Sequence, residues 1–328
     1  WQTLSRRKDH PLENRCIKGQ YPPGSTFKIV MAVAGLEEKV ISPRDTVLCT
    51  GEMTSGNHVF HCWQKRGHGS VNLHRALVES CDVYFYQLGR RLGIERIAKW
   101  SKLFGLGRPT GIHLDREMPG LIGTPAWKLT RFRHPWQEGD TLSVSIGQGY
   151  NLVTPLQLAQ MTEAIANGGQ IFEPQLVAKV ESPAGEVLYE APSAPKSLVN
   201  ISPATLTAVR EALEGVVEEE RGTGRSARIP GLEIAGKTGT AQVVTLEREK
   251  REKEKRGKPA YHYENHAWFV TFAPVEDPQI VVVVLVEHGG HGGSTAAPLA
   301  RRILAAYFPK VKPPVEAPQE EAEEDQAD

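Results

Sequence analysis

The chain has 328 residues, and its 39 Lys and Arg residues balance its 39 Asp and Glu residues, so the formal net charge is zero. This balance gives no indication of a nucleic-acid partner, which a strongly basic chain would suggest. The longest apolar run, residues 280–286, has the length of a buried strand and is too short to span a bilayer. Four cysteines are too few for a disulfide scaffold in a chain of this size.

The N-terminal end gives an expectation about the context of the chain. It starts at Trp1, without an initiating methionine or a signal peptide. We therefore expect a piece of a longer protein, and any membrane anchor would lie in the part that precedes Trp1.

The first motif in chain order combines a serine and a lysine at a predicted helix start. Residues 21–28 read Tyr-Pro-Pro-Gly-Ser-Thr-Phe-Lys and lead into the apolar residues 29–34. Pro and Gly favour a turn, whereas the apolar run has helical composition, so we predict a helix from Ser25 to about Lys39. Lys28 would then lie on the same helix face as Ser25. A lysine in that position can activate a serine for acyl transfer.

A second interpretation of the same pattern is structural. Ser25 can cap the helix while Lys28 points into solvent. A Ser-x-x-Lys pattern also occurs about once by chance in a chain of this length. Two further copies, at residues 5–8 and 193–196, open no apolar helix. Companion motifs must decide between the two interpretations.

The remaining patterns predict a mixed α/β protein. Helical periodicity is found over residues 73–92, 94–104, 151–166, 205–220 and 295–308, and strand-like composition over residues 233–244, 267–272 and 280–287. Residues 40–70 are expected to form a structured loop and residues 105–139 an irregular connection. Because the strands are joined without long helical crossovers, we expect a mostly antiparallel sheet. The charged run 247–256 suggests a solvated hairpin extension or short helix, and residues 311–328 should be disordered.

Two companions of the Ser25 motif carry suitable chemistry. Lys237, Thr238, Gly239 and Thr240 lie on a predicted strand, where one charge, two hydroxyls and an open backbone edge suit a carboxylate ligand and an oxyanion. A proton relay beside Ser25 and Lys28 could come from Ser55, in a loop, or from Ser80, at a short link between two helical stretches. We choose Ser80, because such a link can present polar side chains inward.

The ordered set of Ser25-x-x-Lys28, Ser80-Cys81-Asp82 and Lys237-Thr238-Gly239 resembles penicillin-binding proteins and serine β-lactamases. Other stretches are similar to class B penicillin-binding proteins of the elongation type, the penicillin-binding protein 2 group: residues 21–28, 67–69, 127–128, 131–132, 135–136, 139–141, 146–149 and 154–157. The resemblance covers residues 14 to about 308.

This resemblance implies the penicillin-binding and serine β-lactamase-like transpeptidase fold. The fold is α/β, a mostly antiparallel sheet flanked by helices plus a mainly helical subdomain. It also implies one transpeptidase domain over residues 1–310, with the anchor and pedestal region outside this chain. The chain would act in the periplasm, attached to the inner membrane.

The resemblance further implies a peptidoglycan D,D-transpeptidase that is the target of β-lactams. Ser25 would form an acyl-enzyme with release of D-alanine, Lys28 would take its proton, and Ser80 would relay a proton to the leaving amine. Asp82, which is Asn in many relatives, would hold Lys28. The side chains of Lys237, Thr238 and Thr240 would grip the substrate carboxylate beside Gly239. The backbone N–H groups of Ser25 and Thr240 would form the oxyanion hole.

A metal site is a further expectation. Cys49, Cys62, His68 and Cys81 offer three thiolates and one imidazole, a donor set that suits tetrahedral zinc. Some members of the penicillin-binding protein 2 group carry a structural zinc in this loop, and aligning Trp63 and residues 67–69 places these four residues at its ligands. His58 and His61 lie nearby as substitutes. The alternative is a Cys49–Cys62 disulfide with Cys81 packed in the core and His68 hydrogen-bonded.

Two other functions remain open at this point. A D,D-carboxypeptidase or β-lactamase of the same fold would hydrolyse the acyl-enzyme, although no residue stands out as a water-activating base. A catalytically silent sensor would acylate and signal. For the transpeptidase, the resemblance implies peptidoglycan stem peptides, a glycan-polymerising membrane protein and elongation scaffold proteins as partners, and no nucleic acid.

Overall fold

The computed structural model describes residues 1–7, 10–243 and 264–309. The predicted features at 247–256 and 311–328 lie outside these residues. Within them, no helix is both long enough and apolar enough to cross a bilayer.

The described helices confirm the predicted helical segments with shifted boundaries. They are α1 (Gln2–Ser5), α2 (Arg15–Lys18), α3 (Lys28–Glu37), α4 (Leu73–Val78), α5 (Asp82–Leu92), α6 (Ile94–Leu103), α7 (Pro125–Phe132), α8 (Glu138–Ser145), α9 (Pro155–Ala166), α10 (Pro203–Glu218) and α11 (Ala297–Tyr307). Helices α9 and α10 begin where Thr154 and Ser202 cap the backbone and a proline takes the first helical position. The predicted helix 151–166 therefore starts four residues late, because Asn151 and Leu152 pair as a strand.

The strands are short except for three. They are β1 (Val47–Cys49), β2 (Glu52–Ser55), β3 (His58–His61), β4 (Gly69–Val71), β5 (Leu121–Ile122), β6 (Asn151–Leu152), β7 (Gln170–Ile171), β8 (Lys179–Glu181), β9 (Val187–Glu190), β10 (Ser197–Leu198), β11 (Ala235–Ala241), β12 (His266–Ala273) and β13 (Ile280–Val286). The last three form an antiparallel sheet in the order β11-β12-β13. The predicted antiparallel pairing of these strands is confirmed.

The central sheet is covered by helices on both faces. Successive residues of β12 alternate between the faces, so Trp268 and Val270 belong to one apolar cluster and Phe269 to another. Helices α9 and α10 pack on the face of Trp268, whereas α11 packs on the face of Phe269. A sheet between two helical layers is a stable way to bury both of its faces.

Two predictions about the connections are wrong. Residues 47–71 form the antiparallel pairs β1-β4 and β2-β3, and residues 105–139 contain α7 and β5. Strands of two to four residues with few buried side chains are too short for a period of two to stand out in the sequence. Helix α7 begins at the Thr124 cap, followed by Pro125, within a segment whose Gly and Pro content favoured an irregular connection.

Helix α3 passes through the interior of the protein. All of its residues from Lys28 to Gly35 are buried, which explains the almost uninterrupted apolar run in the sequence. The α-helix begins at Lys28 and not at Ser25, because Gly24–Phe27 form a turn of 3-10 helix in front of it. Ser25 therefore lies in a tight turn that α3 continues into the core.

Candidate active site

The turn that carries Ser25 is held against the edge of the central sheet. The N–H of Gly24 donates to the carbonyl of Gly147 at 2.9 Å, and the indole of Trp268 donates to the carbonyl of Pro22 at 3.1 Å. Gly24 adopts a φ of +55°, which only glycine tolerates readily. A Cβ atom on Gly24 would lie 2.7 Å from the carbonyl oxygen of Thr240. Glycine is therefore required here both by conformation and by the close approach of strand β11.

The same strand also lies close to the other sequence neighbour of Ser25, Thr26. A Cβ atom on Gly239 would lie 2.9 Å from Cγ2 of Thr26 and 3.1 Å from the carbonyl oxygen of Pro23. Gln148 closes the arrangement by donating its side-chain N–H to the carbonyl of Thr240 at 3.2 Å. Both sequence neighbours of Ser25 thus contact the backbone of β11. The structure brings the first and the last predicted motif together.

Lys28 is the centre of the polar interactions in the site. Its side chain is fully buried, and its Nζ lies 2.9 Å from the Ser80 carbonyl, 3.2 Å from Ser80 Oγ and 2.6 Å from Asp82 Oδ1. Three polar partners match the three donors of an ammonium group. A buried lysine is tolerated only when its charge is compensated in this way. Lys28 therefore joins the helix α3 motif to the link between α4 and α5.

Ser80 has an unusual backbone conformation. Its φ of +55° lies in the left-handed region, which costs a non-glycine residue about 1–2 kcal/mol. Glu79, Ser80 and Cys81 form the predicted link between α4 and α5. The side chain of Ser80 is directed towards Lys28, and its carbonyl also accepts a bond from Nε1 of Trp63 at 3.1 Å. Strain of this kind concentrates at functional sites.

The other candidate relay, Ser55, lies elsewhere. It ends strand β2 and its hydroxyl bonds Glu138 Oε2 at 2.5 Å. Lys28 bonds Ser80 instead, so the geometry favours the choice made from the sequence.

Asp82 sits between two donors. Its Oδ1 accepts from Lys28, and its Oδ2 accepts from the backbone N–H of Trp63 at 3.0 Å. Both carboxylate oxygens are therefore engaged, which the burial of Asp82 requires. The aspartate at this position contacts the lysine directly.

Lys237 is a second fully buried lysine in the same site. Burial lowers the pKa of Lys237 well below its ordinary value, the nearby charge of Lys28 lowers it further, and Asp82 acts in the opposite direction. Beside it, the hydroxyl of Thr238 lies 2.7 Å from that of Thr223, whose backbone N–H donates to the carbonyl of Val78. Two amines, one carboxylate and several hydroxyls thus converge around the Ser25 turn.

Three residues of the site carried no role in the sequence analysis. Trp63, Gln148 and Thr223 contact the predicted residues from segments with no recognisable spacing to them. Gln148 belongs to a glycine-rich stretch that was noted for resemblance alone. Trp63 enters the sequence analysis only in the alignment of the predicted metal ligands. No local signal assigns Trp63 or Thr223 a role in this site, because their partners lie 17 and 15 residues away in the chain.

The four predicted metal ligands form one cluster behind this site. One donor atom each from Cys49, Cys62, His68 and Cys81 lies within 4.8 Å of all the others. Nδ1 of His68 is 3.6 Å from the sulfur of Cys49 and 3.5 Å from that of Cys62. Tetrahedral zinc, with bonds of about 2.3 Å to sulfur and about 2.0 Å to nitrogen, places these atoms about 3.5 Å apart. The residues present fit a zinc ion.

The alternative interpretation of the cluster, a Cys49–Cys62 disulfide, does not agree with the structure. All four cysteines of the chain are free thiols, so Cys49 and Cys62 form no disulfide. The other ring nitrogen of His68, Nε2, is buried and has no hydrogen-bond partner among the described residues. The pKa of Cys62 is lowered, chiefly because Cys81 donates a hydrogen bond to its sulfur, and the same bond raises the pKa of Cys81. Three sulfurs and one imidazole nitrogen that lie this close together are the donor set of a tetrahedral zinc site.

Comparisons with known proteins agree with this geometry. The family model described as the penicillin binding protein transpeptidase domain matches residues 2–305. Among curated proteins, the peptidoglycan D,D-transpeptidase MrdA of Haemophilus influenzae is 40% identical over 311 residues, which are 93% of this chain and 47% of that protein. The chain thus spans about half the length of the curated relatives it matches.

Solved structures give the same fold. The crystal structure of Pseudomonas aeruginosa PBP2 in complex with WCK 5153 is similar with a TM-score of 0.82 and 35% identity, over 97% of this chain and 68% of that one. PBP2 in the complex with MreC from Helicobacter pylori gives a TM-score of 0.78 and 34% identity, over 94% of this chain and 53% of that one. The fold class expected from the sequence is confirmed.

Gly24→Ala tests the packing of the Ser25 turn against β11. We expect a loss of about 3 kcal/mol in the free energy of unfolding, because the new methyl group combines an unfavourable φ with a clash against the Thr240 carbonyl. Urea denaturation of Gly24→Ala and Gly56→Ala gives the comparison. Gly56 has a φ of +56° and open space around it, so it reports the conformational cost alone, about 1 kcal/mol. Equal losses in both variants would contradict the proposed packing.

Lys237→Met tests whether the buried amine destabilises the fold. A lysine whose pKa is lowered on folding binds fewer protons in the folded than in the unfolded state. Its unfavourable contribution is present at neutral pH and disappears as the pH rises towards the ordinary lysine value of about 10.4. We expect Lys237→Met to raise the free energy of unfolding by about 1 kcal/mol at pH 7, with a smaller gain at pH 9.5. Destabilisation at pH 7 would show that the interaction with Asp82 outweighs burial.

Proposed function

The chain belongs to the penicillin-binding protein transpeptidase family, and we propose that it is the catalytic domain of an elongation-type peptidoglycan D,D-transpeptidase. The observation that carries the proposal is the set of contacts around Lys28, which lies one turn after Ser25 and bonds both Ser80 and Asp82. The relatives named D,D-transpeptidase support the reaction, and those named PBP2 support the elongation type.

In the first half of the reaction, Ser25 Oγ attacks the carbonyl carbon of the penultimate D-alanine of a stem peptide. The serine proton passes to the neutral form of Lys28, and the ammonium group so formed keeps its contacts with Ser80 and Asp82. The carbonyl oxygen becomes negative and is stabilised by the backbone N–H groups of Ser25 and Thr240.

The intermediate then collapses. The C–N bond to the terminal D-alanine breaks, and the leaving amine takes a proton through the hydroxyl of Ser80, which lies 3.2 Å from Lys28 Nζ. An ester between Ser25 and the donor peptide remains. The amine of a second stem peptide attacks this ester, forms the cross-linking amide and returns a proton to Ser25 through the same relay. A β-lactam follows the first half of this path and traps Ser25 as an ester.

We assign substrate binding to strand β11. The Thr238 and Thr240 hydroxyls and the amine of Lys237 are suited to the terminal carboxylate of the stem peptide, and the absence of a side chain at Gly239 lets the peptide backbone approach the strand. The contact from Thr223 to Thr238 supports a fixed orientation of that hydroxyl.

The cluster of Cys49, Cys62, His68 and Cys81 is proposed to hold a structural zinc ion. The ion would supply a cross-link that ties the segment of β1 to β4 to the start of α5, beside Ser80 and Asp82. Catalysis itself needs no metal in this scheme.

The proposed setting is the periplasmic face of the inner membrane. The chain would be attached there through a segment outside these residues. Elongation scaffold proteins are proposed partners, supported by the PBP2–MreC complex among the similar structures. A glycan-polymerising membrane protein is proposed on the family resemblance.

Ser25→Ala tests the nucleophile. We expect a fluorescent penicillin to label the wild-type chain covalently and Ser25→Ala not at all, since no ester can form. Gel fluorescence and mass spectrometry of the labelled peptide give the measurement. Ser193→Ala, in the other Ser-x-x-Lys pattern at 193–196, is the matched control and should label fully. Label on Ser25→Ala would overturn the assignment.

Release of D-alanine from an acyl-D-Ala-D-Ala peptide, with and without an acceptor amine, separates transpeptidase from carboxypeptidase.

Metal analysis tests the zinc proposal. We expect about one zinc per chain and, after its removal by a chelator, a free energy of unfolding lower by about 3 kcal/mol, as for a ligand at about 100 times its Kd. Cys49→Ser should lose the metal, whereas Cys16→Ser, at an exposed cysteine outside the cluster, should keep it. Purified wild-type chain without bound zinc would contradict the proposal.

A further inference from the structure

Trp63 stands out because its polar atoms lie in the site while its ring is exposed. The residue is 57% exposed, which is unusual for a tryptophan that serves only to fill a core. Its indole N–H nevertheless donates to two backbone carbonyls, that of Glu79 at 3.0 Å and that of Ser80 at 3.1 Å. The polar edge of the ring, and not its apolar face, makes the directed contacts.

The Ser80 carbonyl is held by two donors at once. Lys28 Nζ approaches it at 2.9 Å and Trp63 Nε1 at 3.1 Å, so both lone pairs of the oxygen are occupied. The same residue has the left-handed φ of +55°. A strained conformation persists only when its surroundings hold it in place. The side chains of Trp63 and Lys28 come from different segments of the chain, and both hold the Ser80 carbonyl.

The backbone of Trp63 also contacts the second partner of Lys28, Asp82. Its N–H donates to Asp82 Oδ2 at 3.0 Å, opposite the oxygen that accepts from Lys28. One residue thus contacts both Ser80 and Asp82, the two partners of Lys28. It comes from a loop and not from α4 or α5.

Trp63 is itself fixed by its neighbours. The N–H of Cys62 donates to the carbonyl of Gly51 at 2.8 Å, and the sulfur of Cys62 contacts His68. The ring of His68 packs edge-on against the indole, with centroids 5.4 Å apart. The loop therefore presents a rigid donor, which is the property that a supporting residue needs.

We propose that Trp63 is a positioning residue of the acylation reaction, whose indole N–H keeps the Ser80 peptide in its left-handed conformation and so aims the Ser80 hydroxyl at Lys28. The proposal rests on the proposed function of Ser25, Lys28 and Ser80. Trp63 itself takes no part in proton transfer.

The test compares Trp63→Phe with the wild type in acylation by a fluorescent penicillin. The phenyl ring can still pack on His68 but donates no hydrogen bond. We expect the acylation rate constant at saturating penicillin to fall ~10- to 100-fold, as for other losses of alignment in an active site. The apparent dissociation constant of the non-covalent complex should change less than ~3-fold, because β11 and not Ser80 binds the carboxylate.

Trp100→Phe is the matched control. It also removes an indole hydrogen bond, to Glu38 at 2.8 Å, but Glu38 follows the C-terminal end of α3, ten residues from Lys28. We expect its acylation rate constant to equal that of the wild type. An equal drop in both variants would overturn the proposal, since a general loss of stability would then explain it. So would a wild-type rate constant in Trp63→Phe.

Two further measurements separate positioning from mere loop stability. In a Ser80→Ala background, the effect of Trp63→Phe should shrink at least ~3-fold, because the hydroxyl that it aims is missing, whereas full additivity would contradict the proposal. A benzothienyl-alanine at position 63 replaces only the N–H by sulfur and should reproduce the drop. If Trp63→Phe does not fold, this variant tests by itself whether the indole N–H is needed for acylation.

Hydrogen exchange distinguishes a failure of this inference from a failure of the proposed function. In Trp63→Phe, the amide of Cys81, which donates to the carbonyl of Ala76, should exchange ~10-fold faster, and in Trp100→Phe it should not. If the wild type forms no ester at Ser25, the proposed function is wrong, while unchanged exchange at Cys81 refutes the role of Trp63 by itself.

Discussion

The site depends on one fully buried ammonium group, that of Lys28. Its three donors meet the carbonyl and the hydroxyl of Ser80 and the carboxylate of Asp82. Each of these contacts compensates a charge that burial alone would make unfavourable. The same contacts bring the Ser80 link to the helix that follows Ser25. Removing any one partner leaves a polar group in the interior without compensation, so the positions of α3, α4 and α5 and of the Lys28, Ser80 and Asp82 side chains are set together.

A second constraint is steric. The turn of Ser25 can reach strand β11 only because Gly24 and Gly239 have no side chains where the two backbones meet. This approach places the neighbours of Ser25 against Thr240 and Gly239, where backbone N–H groups can serve an oxyanion. The central sheet provides a rigid edge for that purpose, since helices cover both of its faces. Ser25 thus sits between the buried helix α3 and the edge strand β11.

How much of the fold and of the candidate site could be predicted depends on whether an element leaves a recognisable pattern in the sequence. The long helices and the three long strands carry periodic apolar patterns, and those elements were predicted with boundary errors of a few residues. The strand pairs within residues 47–71 were missed, because strands of three or four residues with few buried side chains are too short to carry a readable pattern. The ligand set of Cys49, Cys62, His68 and Cys81 was suggested by its chemistry and by resemblance. Trp63 and Thr223 were missed, since a hydrogen bond to a distant backbone carbonyl leaves no trace in the composition around either residue.

The sequence by itself determined the chemistry that is available. Ser25 and Lys28 are separated by one helical turn, and Ser80 and Asp82 lie at the start of a helix. Residues 237–240 lie on a strand. These three placements follow from local spacing and propensity. Only the tertiary structure decided which atoms meet. It placed Asp82 against Lys28 and Ser55 against Glu138, it left the cysteines as a cluster and not a disulfide, and it brought the indole N–H of Trp63 to the Ser80 carbonyl. The physical reason is that these contacts join residues far apart in the chain, so their geometry is fixed by packing and by the need to compensate buried charge.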